Sequence, residues 1–357
     1  MTGEKRNVLT QSIRSITGPL ALPYFELRVF QNHTELFTYV EKPAQWADKD
    51  KLYLYSCTKP VTAVCTLQRI EQGRLSLEDP VASYSPAFQN REIKLLHLLT
   101  MTAGLSYDFG MPSLKKLLAS QKNPSTAAII DAIAEQPLLF TPGTQFCYSF
   151  CMDVVARVVE VVSGLRFSDF VQQNVFTPLE MTSCSFRDTD PAHMLPQYTV
   201  RDGKIVLFHQ HNELVPSSDF DSGGAGLIGT VEDYAKFAAT LANDGVAANG
   251  YRLLTPESIQ LLRTPHIESL HIENDFTCVQ GKAYSYGLGV RTRTEPTDFG
   301  LMPGEYGWDG AAGSFLMVDP NRHISVTMGM HLRGWPEVFP SGHLQIVEQI
   351  YRHLFDQ

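Results

Sequence analysis

Residues 52–73 read LYLYSCTKPVTAVCTLQRIEQG, and the order of local structures in this stretch guides the interpretation of the whole chain. Its first four residues, Leu52 to Tyr55, form a short apolar run that is typical of a buried strand. From Thr58 to Gln72 the apolar residues recur at helical spacing, and Gly73 stands where a helix C-cap is expected. Ser56 therefore lies between a strand and a helix, a junction at which exposed nucleophiles are found.

Ser56 and Lys59 lie three residues apart at the start of this helix, so their side chains project from one face. A serine hydroxyl is a weak nucleophile until a base takes its proton, and a lysine can do so when desolvation or nearby cations lower its pKa. The helix N-terminus also offers a backbone N–H to a developing oxyanion. A second Ser-x-x-Lys pair, starting at Ser113, lies in an amphipathic stretch and is interpreted as a solvated helix face.

The pattern predicts strands towards both ends of the chain and helices between them. Alternating apolar residues predict a hairpin within residues 25–40. The final third reads as strands at 287–290, 313–318 and 323–330, followed by a closing helix at 342–354. Hairpins at both ends imply one antiparallel sheet to which both termini contribute.

The predicted fold class is therefore α+β, an antiparallel β-sheet flanked by helices with an inserted, mainly helical domain. Residues 1–78 and 222–357 are expected to form the domain that contains the sheet, and residues 79–221 the helical domain. The active site is expected between the two.

The chain has 357 residues, of which 43% are apolar and 19% charged, an ordinary globular composition. Its net charge is −9 and no run of Lys or Arg occurs, so nucleic acid is not an expected partner. The sequence contains no apolar stretch of about 20 residues, so no membrane span is predicted. Pro19 and Pro23 interrupt the apolar stretch near the N-terminus, so no signal peptide is predicted and a cytoplasmic location is expected.

Six irregularly spaced cysteines are expected to be reduced thiols. Cys147 and Cys151 are four residues apart, but no further ligand pair accompanies them, so they are interpreted as buried small hydrophobic residues. No metal and no organic cofactor is expected, and the sequence indicates no oligomeric state.

Two further segments have features that suit chemistry. In residues 142–150 a turn delivers Tyr148 just before a long helix, and a tyrosine beside a lysine cation can transfer a proton. The alternative is a core aromatic residue. In residues 307–313 three glycines allow close approach of the backbone to a ligand, and a strand edge there can supply a second oxyanion N–H. The alternative is a simple glycine-rich turn.

The three segments follow the order and approximate spacing of the serine β-lactamase-like superfamily, which includes class C β-lactamases, penicillin-binding peptidases and family VIII esterases. Residues 95–105, 222–227 and 318–320 resemble further segments of that superfamily. The resemblance implies a β-lactamase/transpeptidase-like fold. It also implies that Ser56 is the acylated nucleophile, Lys59 its base and Tyr148 a proton carrier. Ala311 resembles the residue whose N–H completes the oxyanion hole with that of Ser56.

Two positions depart from that superfamily, and both bear on the substrate. Phe150 replaces the Asn of its Tyr-x-Asn motif and has no side-chain hydrogen bond to offer. Trp308-Asp309-Gly310 stands where the superfamily has Lys-Thr-Gly or His-x-Gly, so a cation suited to carboxylates is lost and an anion is added. These residues, Phe150, Trp308, Asp309 and Gly310, are predicted to bind substrate, and the changes favour neutral, apolar esters.

The leading hypothesis is a serine hydrolase that cleaves small-molecule carboxylic esters through a Ser56 acyl-enzyme. An acyltransferase using the same nucleophile is the nearest alternative, because the pocket selects the acceptor. β-Lactamase and D-stereospecific peptidase or amidase activities also remain open. A non-catalytic binding protein on the same fold is the alternative of another class.

Overall fold

The structure is a computed structural model that describes residues 3–43, 50–187, 191–272, 283–339 and 341–355. Its strands, in chain order, are β1 Phe25–Gln31, β2 Thr34–Glu41, β3 Leu52–Tyr55, β4 Gln145–Phe146, β5 Tyr198–Arg201, β6 Lys204–Leu207, β7 Leu227–Gly229, β8 His271–Ile272, β9 Tyr284–Tyr286, β10 Arg291–Arg293, β11 Tyr306–Asp309, β12 Phe315–Asp319, β13 Ile324–Gly329 and β14 Leu332–Arg333. Its α-helices are α1 Gly3–Thr17, α2 Thr58–Glu71, α3 Leu95–Leu99, α4 Pro112–Ser120, α5 Thr126–Ala134, α6 Cys151–Ser163, α7 Phe167–Val171, α8 Val231–Ala242, α9 Pro256–Arg263, α10 Trp335–Val338 and α11 Gly342–Leu354.

A seven-stranded antiparallel sheet in the order β2-β1-β13-β12-β11-β10-β9 forms the centre of the fold. The first and last parts of the chain meet in it, because Val29 of β1 pairs with Val326 of β13. Asn32 and His33 both have positive φ, which suits the tight turn between β1 and β2. The predicted α+β class with an antiparallel sheet built from both termini is confirmed.

Helices cover both faces of the sheet. Successive apolar side chains of a strand point to opposite faces, so each face has an apolar surface to bury. In β12, Leu316 and Val318 belong to the larger apolar core, which also contains residues of α2, α6 and α8. Phe315 and Met317 point to the opposite face and pack with α1 and α11. Helix α2 is buried over its first eleven residues, which places its N-terminus deep inside the molecule.

The segment between α2 and β7 carries helices α3 to α7, as the helical pattern of that segment predicts. It also contains the β5–β6 hairpin, whose Tyr198 pairs with Leu332 of β14. The domain boundaries at residues 79 and 221 stay a prediction. The predicted strand at 287–290 is wrong: these residues form a turn between β9 and β10 that is closed by Gly287 N–H donating to Val290 O at 2.8 Å.

The described helices include none that is long and apolar enough to cross a membrane. Five cysteines in the described residues are buried thiols: Cys57, Cys65, Cys147, Cys151 and Cys184. Cys278, the sixth, lies outside the described residues.

Candidate active site

Ser56 lies at a sharp junction between β3 and α2. The preceding residue, Tyr55, has φ of 48°, a left-handed conformation that costs a bulky residue about 1–2 kcal/mol. Surrounding hydrogen bonds hold it, since the Tyr55 hydroxyl donates to Gln197 Oε1 at 2.5 Å and Thr58 Oγ1 donates to Tyr55 O at 2.5 Å. The junction turns the chain abruptly from strand to helix, and Ser56 lines a cavity from this position.

The Ser56 hydroxyl is bonded to two other polar side chains. Lys59 Nζ lies 3.1 Å from Ser56 Oγ, and the Tyr148 hydroxyl donates to the same oxygen at 2.8 Å. Ser56 and Tyr148 are each 6% exposed and Lys59 is fully buried. Lys59 and Tyr148 therefore both contact the Ser56 hydroxyl oxygen, although Tyr148 lies 92 residues from Ser56 in the sequence.

The loop before β7 fixes the lysine from the other side. Lys59 Nζ donates to Gly224 O at 2.7 Å. A Cβ atom on Gly224 would lie 2.7 Å from Asp153 Oδ2, so a glycine is needed for this close approach. The superfamily resemblance singled out the glycine-rich segment 222–227 in the sequence, but the role of Gly224 O as an acceptor for Lys59 was missed.

Asp153 is a buried carboxylate that the sequence interpretation also missed. Its Oδ1 accepts hydrogen bonds from Ser222 Oγ at 2.6 Å and Gly224 N at 3.2 Å. Burial raises the pKa of Asp153, although these bonds and the charge of Lys59 act in the opposite direction. The available signal was an acidic residue in the first turn of helix α6, next to the apolar pair Val154 and Val155.

Aromatic residues surround the polar cluster. Trp308 Nε1 donates to the Tyr148 hydroxyl oxygen at 3.3 Å, and the two rings stack with centroids 5.5 Å apart. The Tyr107 ring stacks on the rings of Tyr148 and Phe150, with centroid distances of 5.7 Å and 4.6 Å, respectively. Lys59 Nζ lies 4.6 Å from the Tyr148 ring centroid, so a cation–π contact adds to its hydrogen bonds.

The four predicted substrate-binding residues occupy two different layers. Asp309 and Gly310 line the cavity. Phe150 and Trp308 are 2% and 0% exposed and lie behind Tyr107 and Tyr148, which form the wall in front of them. Direct substrate contact by Phe150 and Trp308 stays a prediction, and the structure gives them a supporting position. Tyr107 is a cavity residue that sequence reasoning missed.

Gly310 and Ala311 follow β11 and lie against the end of β3. A Cβ atom on Gly310 would lie 2.5 Å from Leu54 O, and the neighbouring Ser314 Oγ donates to this same carbonyl at 2.6 Å. Ala311 and Ser56 both line the cavity. Within the described part of the chain, no group accepts a hydrogen bond from the backbone N–H of Ser56 or of Ala311. Two backbone N–H groups on residues that line one cavity can hold an oxyanion.

Asp309 is paired rather than free to face a substrate. Arg291 Nη1 donates to its Oδ2 at 2.6 Å, and His343 Nδ1 lies 3.0 Å from its Oδ1. Burial alone would raise the pKa of Asp309, but Arg291 and His343 outweigh it and hold the pKa below its usual range. The negative charge that the sequence adds at this position is thus compensated by residues on β10 and α11.

The cavity has a volume of about 880 Å³, which matches sites for ligands of drug size. Ser56, Tyr107 and Tyr148 lie on its wall, as do Asp309, Gly310 and Ala311. Its apolar lining is completed by a group of aliphatic and aromatic side chains, which includes Leu214, Leu301, Phe315, Met317, Leu344 and Val347. A largely apolar cavity with few polar groups suits an apolar ligand.

The antiparallel sheet with helices on both faces is a β-lactamase/transpeptidase-like fold, which solved structures described below share. The family model described as Beta-lactamase matches residues 28–349, and the chain belongs to this family. The superfamily resemblance seen in the sequence is therefore confirmed.

Three similar proteins illustrate the range of the family. Protein Rv1367c of Mycobacterium tuberculosis (strain ATCC 25618 / H37Rv) is 28% identical over 307 residues, which cover 77% of this chain and 76% of that protein. Lovastatin esterase of Penicillium rubens is 31% identical over 255 residues, 64% of this chain and 62% of that protein. The solved structure of EstCE1, a hydrolase with promiscuous acyltransferase activity, superimposes with a TM-score of 0.81 at 21% identity, over 98% of this chain and 99% of that one.

Proposed function

We propose that this protein hydrolyses carboxylic esters through a covalent acyl-enzyme on Ser56. The observation that carries the proposal is the position of Ser56 Oγ, which is bonded to Lys59 Nζ and the Tyr148 hydroxyl at the wall of a largely apolar cavity. A hydroxyl with two proton-handling partners is the arrangement that nucleophilic catalysis requires.

In the proposed acylation step, Ser56 Oγ attacks the ester carbonyl carbon while neutral Lys59 takes the hydroxyl proton. The carbonyl oxygen becomes an oxyanion and is held by the N–H groups of Ser56 and Ala311. When the tetrahedral intermediate collapses, the bond to the alcohol oxygen breaks. Tyr148 gives that oxygen its proton and regains one from Lys59, with which it shares the Ser56 oxygen as a bonding partner.

Deacylation uses the same groups in reverse. A water molecule replaces the alcohol, gives up a proton to the Tyr148–Lys59 pair and attacks the acyl carbon. The second tetrahedral intermediate expels Ser56 Oγ, which recovers its proton from Lys59. The products are a carboxylic acid and free enzyme, so atoms and protons balance over the cycle.

The charges around the cavity support a neutral substrate. Two arginines in the described residues line it, and both are engaged in ion pairs: Arg291 with Asp309 at 2.6 Å and Arg333 with Glu213 at 2.5 Å. A substrate carboxylate would have to compete with these partners. Trp308 also stands where the superfamily has a cation, which disfavours the anionic β-lactams and peptides relative to neutral esters.

Acyl transfer is a second candidate that the size of the cavity supports. About 880 Å³ leaves room for an acyl group on Ser56 together with an alcohol or amine acceptor. The hydrolase EstCE1, which shares the fold, is described as having promiscuous acyltransferase activity. Formation of the butyl ester on addition of butanol, or of the N-benzyl amide on addition of benzylamine, at the expense of free acid, measures this partition directly.

The test compares p-nitrophenyl butyrate, a chromogenic cephalosporin and a D-alanine p-nitroanilide as substrates of the purified protein. We expect turnover of the butyrate ester that falls by roughly 10⁴-fold or more in Ser56→Ala. The matched control is Ser113→Ala, which alters the other Ser-x-x-Lys pair. There Ser113 Oγ donates to Ala132 O at 2.7 Å. Equal ester hydrolysis by Ser56→Ala and wild type would contradict the proposal.

A further inference from the structure

The carbonyl that shares a peptide bond with the Ala311 N–H is held by two donors. Gly310 O accepts a hydrogen bond from Trp335 Nε1 at 3.2 Å and another from the backbone N–H of Gly313 at 2.9 Å. The carbonyl and N–H of a trans peptide point in opposite directions. Donors on the carbonyl side therefore set the direction in which the Ala311 N–H points.

Trp335 belongs to a segment, residues 332–335, that donates hydrogen bonds to the turn formed by residues 310–312. Three of its residues donate to three successive carbonyls, those of residues 310–312. The bonds are Leu332 N to Ala312 O at 2.9 Å, Arg333 Nη1 to Ala311 O at 3.3 Å and Trp335 Nε1 to Gly310 O at 3.2 Å. Gly334, with φ of 75°, provides the left-handed turn by which β14 leads into α10. The segment therefore braces the turn that contains the predicted oxyanion donor.

Packing fixes the Trp335 ring in turn. Its centroid lies 4.3 Å from that of His343, and the His343 ring also packs on Phe315 with centroids 4.7 Å apart. His343 Nδ1 is bonded to Asp309 Oδ1 at 3.0 Å, so the histidine is held by the residue next to Gly310. The direction of the indole N–H is thus determined by a continuous set of contacts that ends at β11.

We propose that Trp335 is a positioning residue of the oxyanion hole, acting through the Gly310–Ala311 peptide. The inference rests on the proposed function, in which the Ala311 N–H binds the oxyanion. A donor on the carbonyl oxygen orients the peptide and also polarises it, which strengthens a coupled hydrogen bond by about 10–30%. The Trp335 ring also lines the cavity, so a role in substrate binding would appear in KM, whereas the positioning role appears in kcat.

The test is Trp335→Phe, which removes the indole N–H and keeps an aromatic ring against His343. We expect kcat for p-nitrophenyl butyrate to fall about 10-fold, less than the 10²–10³-fold effect of deleting an oxyanion donor itself. KM is expected to stay within about twofold, because the bond acts on a charge that exists only in the transition state. The affinity for a trifluoromethyl ketone that adds to Ser56 is expected to fall in proportion to kcat.

Glu337→Ala is the control, because Glu337 is exposed on the same short helix and does not line the cavity. Circular dichroism checks that each variant is folded. If Trp335→Phe does not fold, β-(3-benzothienyl)alanine at position 335 replaces it, because this residue has a sulfur atom in place of the indole N–H. Unchanged kcat and inhibitor affinity in a folded variant, or a change in KM alone, would overturn the inference while wild type still acylates Ser56. Failure of wild type to acylate Ser56 would overturn the proposed function and this inference together.

Discussion

Replacing Tyr148 by phenylalanine removes one oxygen atom that has two separate partners. The hydroxyl donates to Ser56 Oγ at 2.8 Å and accepts from Trp308 Nε1 at 3.3 Å. The first bond belongs to the proposed proton transfer, and the second lies in the buried aromatic layer behind the site. The substitution is therefore expected to lower both the rate and the stability, for reasons that can be measured independently.

The expected magnitudes follow from these two bonds. A positioned proton carrier contributes about 10²–10⁴-fold to the rate, so kcat/KM for p-nitrophenyl butyrate is expected to fall within that range. Removing the acceptor of a buried N–H costs about 1–3 kcal/mol, and the long 3.3 Å bond places the expected loss of unfolding free energy near the lower value. A double-mutant cycle with Trp308→Phe is expected to give a coupling energy of about 1 kcal/mol between the two side chains.

Urea denaturation of the wild type, both single variants and the double variant supplies the cycle, and initial rates supply the kinetic effect. Tyr306→Phe is the control, because the buried Tyr306 hydroxyl donates to Leu241 O at 3.1 Å and does not line the cavity. It is expected to lose stability without a loss of rate. Additive stability effects in the cycle, or Tyr148→Phe activity within threefold of wild type, would refute the reasoning.

Three further substitutions test the surroundings of the site. In Asp153→Asn, urea titrations should show a weaker loss of stability as pH rises above about 4, because the raised pKa of Asp153 makes the native state bind the extra proton. A pH dependence of stability equal to that of wild type would contradict the raised pKa of Asp153. Asp309→Asn should lower the free energy of unfolding by about 2 kcal/mol at pH 7, because it breaks the ion pair with Arg291. The expected loss is smaller than for a fully buried ion pair, because the Asp309 side chain is 17% exposed. Since the pKa of Asp309 is lowered, that stability is present above pH 4 and lost in acid, so wild type and variant should converge at low pH in thermal melts. Gly310→Ala places a Cβ atom 2.5 Å from the Leu54 carbonyl oxygen of β3 and should lower kcat by at least about 10²-fold. A variant with the kinetics of wild type would show that the position of the Gly310–Ala311 peptide is unimportant.

The sequence predicted the parts of the site that are local. Ser56 and Lys59 share one helix turn, and the strand–serine–helix order could be read directly from the apolar pattern. Tyr148 lies 92 residues away from Ser56, and only the superfamily resemblance connected the two. The roles that are proposed for these residues come from the same two sources, and the geometry supports them.

What the sequence did not predict depends on contacts between distant segments. Asp309 reads as an added anion until Arg291 and His343, 18 and 34 residues away, pair with it in the folded chain. The strand predicted at 287–290 is wrong because glycines alternate there with apolar residues, which gives the two-residue period that is typical of a strand. In the structure Gly289 has φ of 74° and lies in a turn. Helix α1 was not predicted, and its apolar residues are explained by packing against α11.

The central claim is the Ser56 acyl-enzyme, and intact-protein mass spectrometry after rapid mixing with p-nitrophenyl butyrate tests it most directly. We expect a transient addition of one butyryl group, assigned to Ser56 by peptide mapping, absent from Ser56→Ala and followed by continued release of nitrophenol. A long-lived adduct that only alcohols or amines remove would assign the protein to acyl transfer. No adduct, or an adduct on another residue while ester hydrolysis continues, would contradict the account.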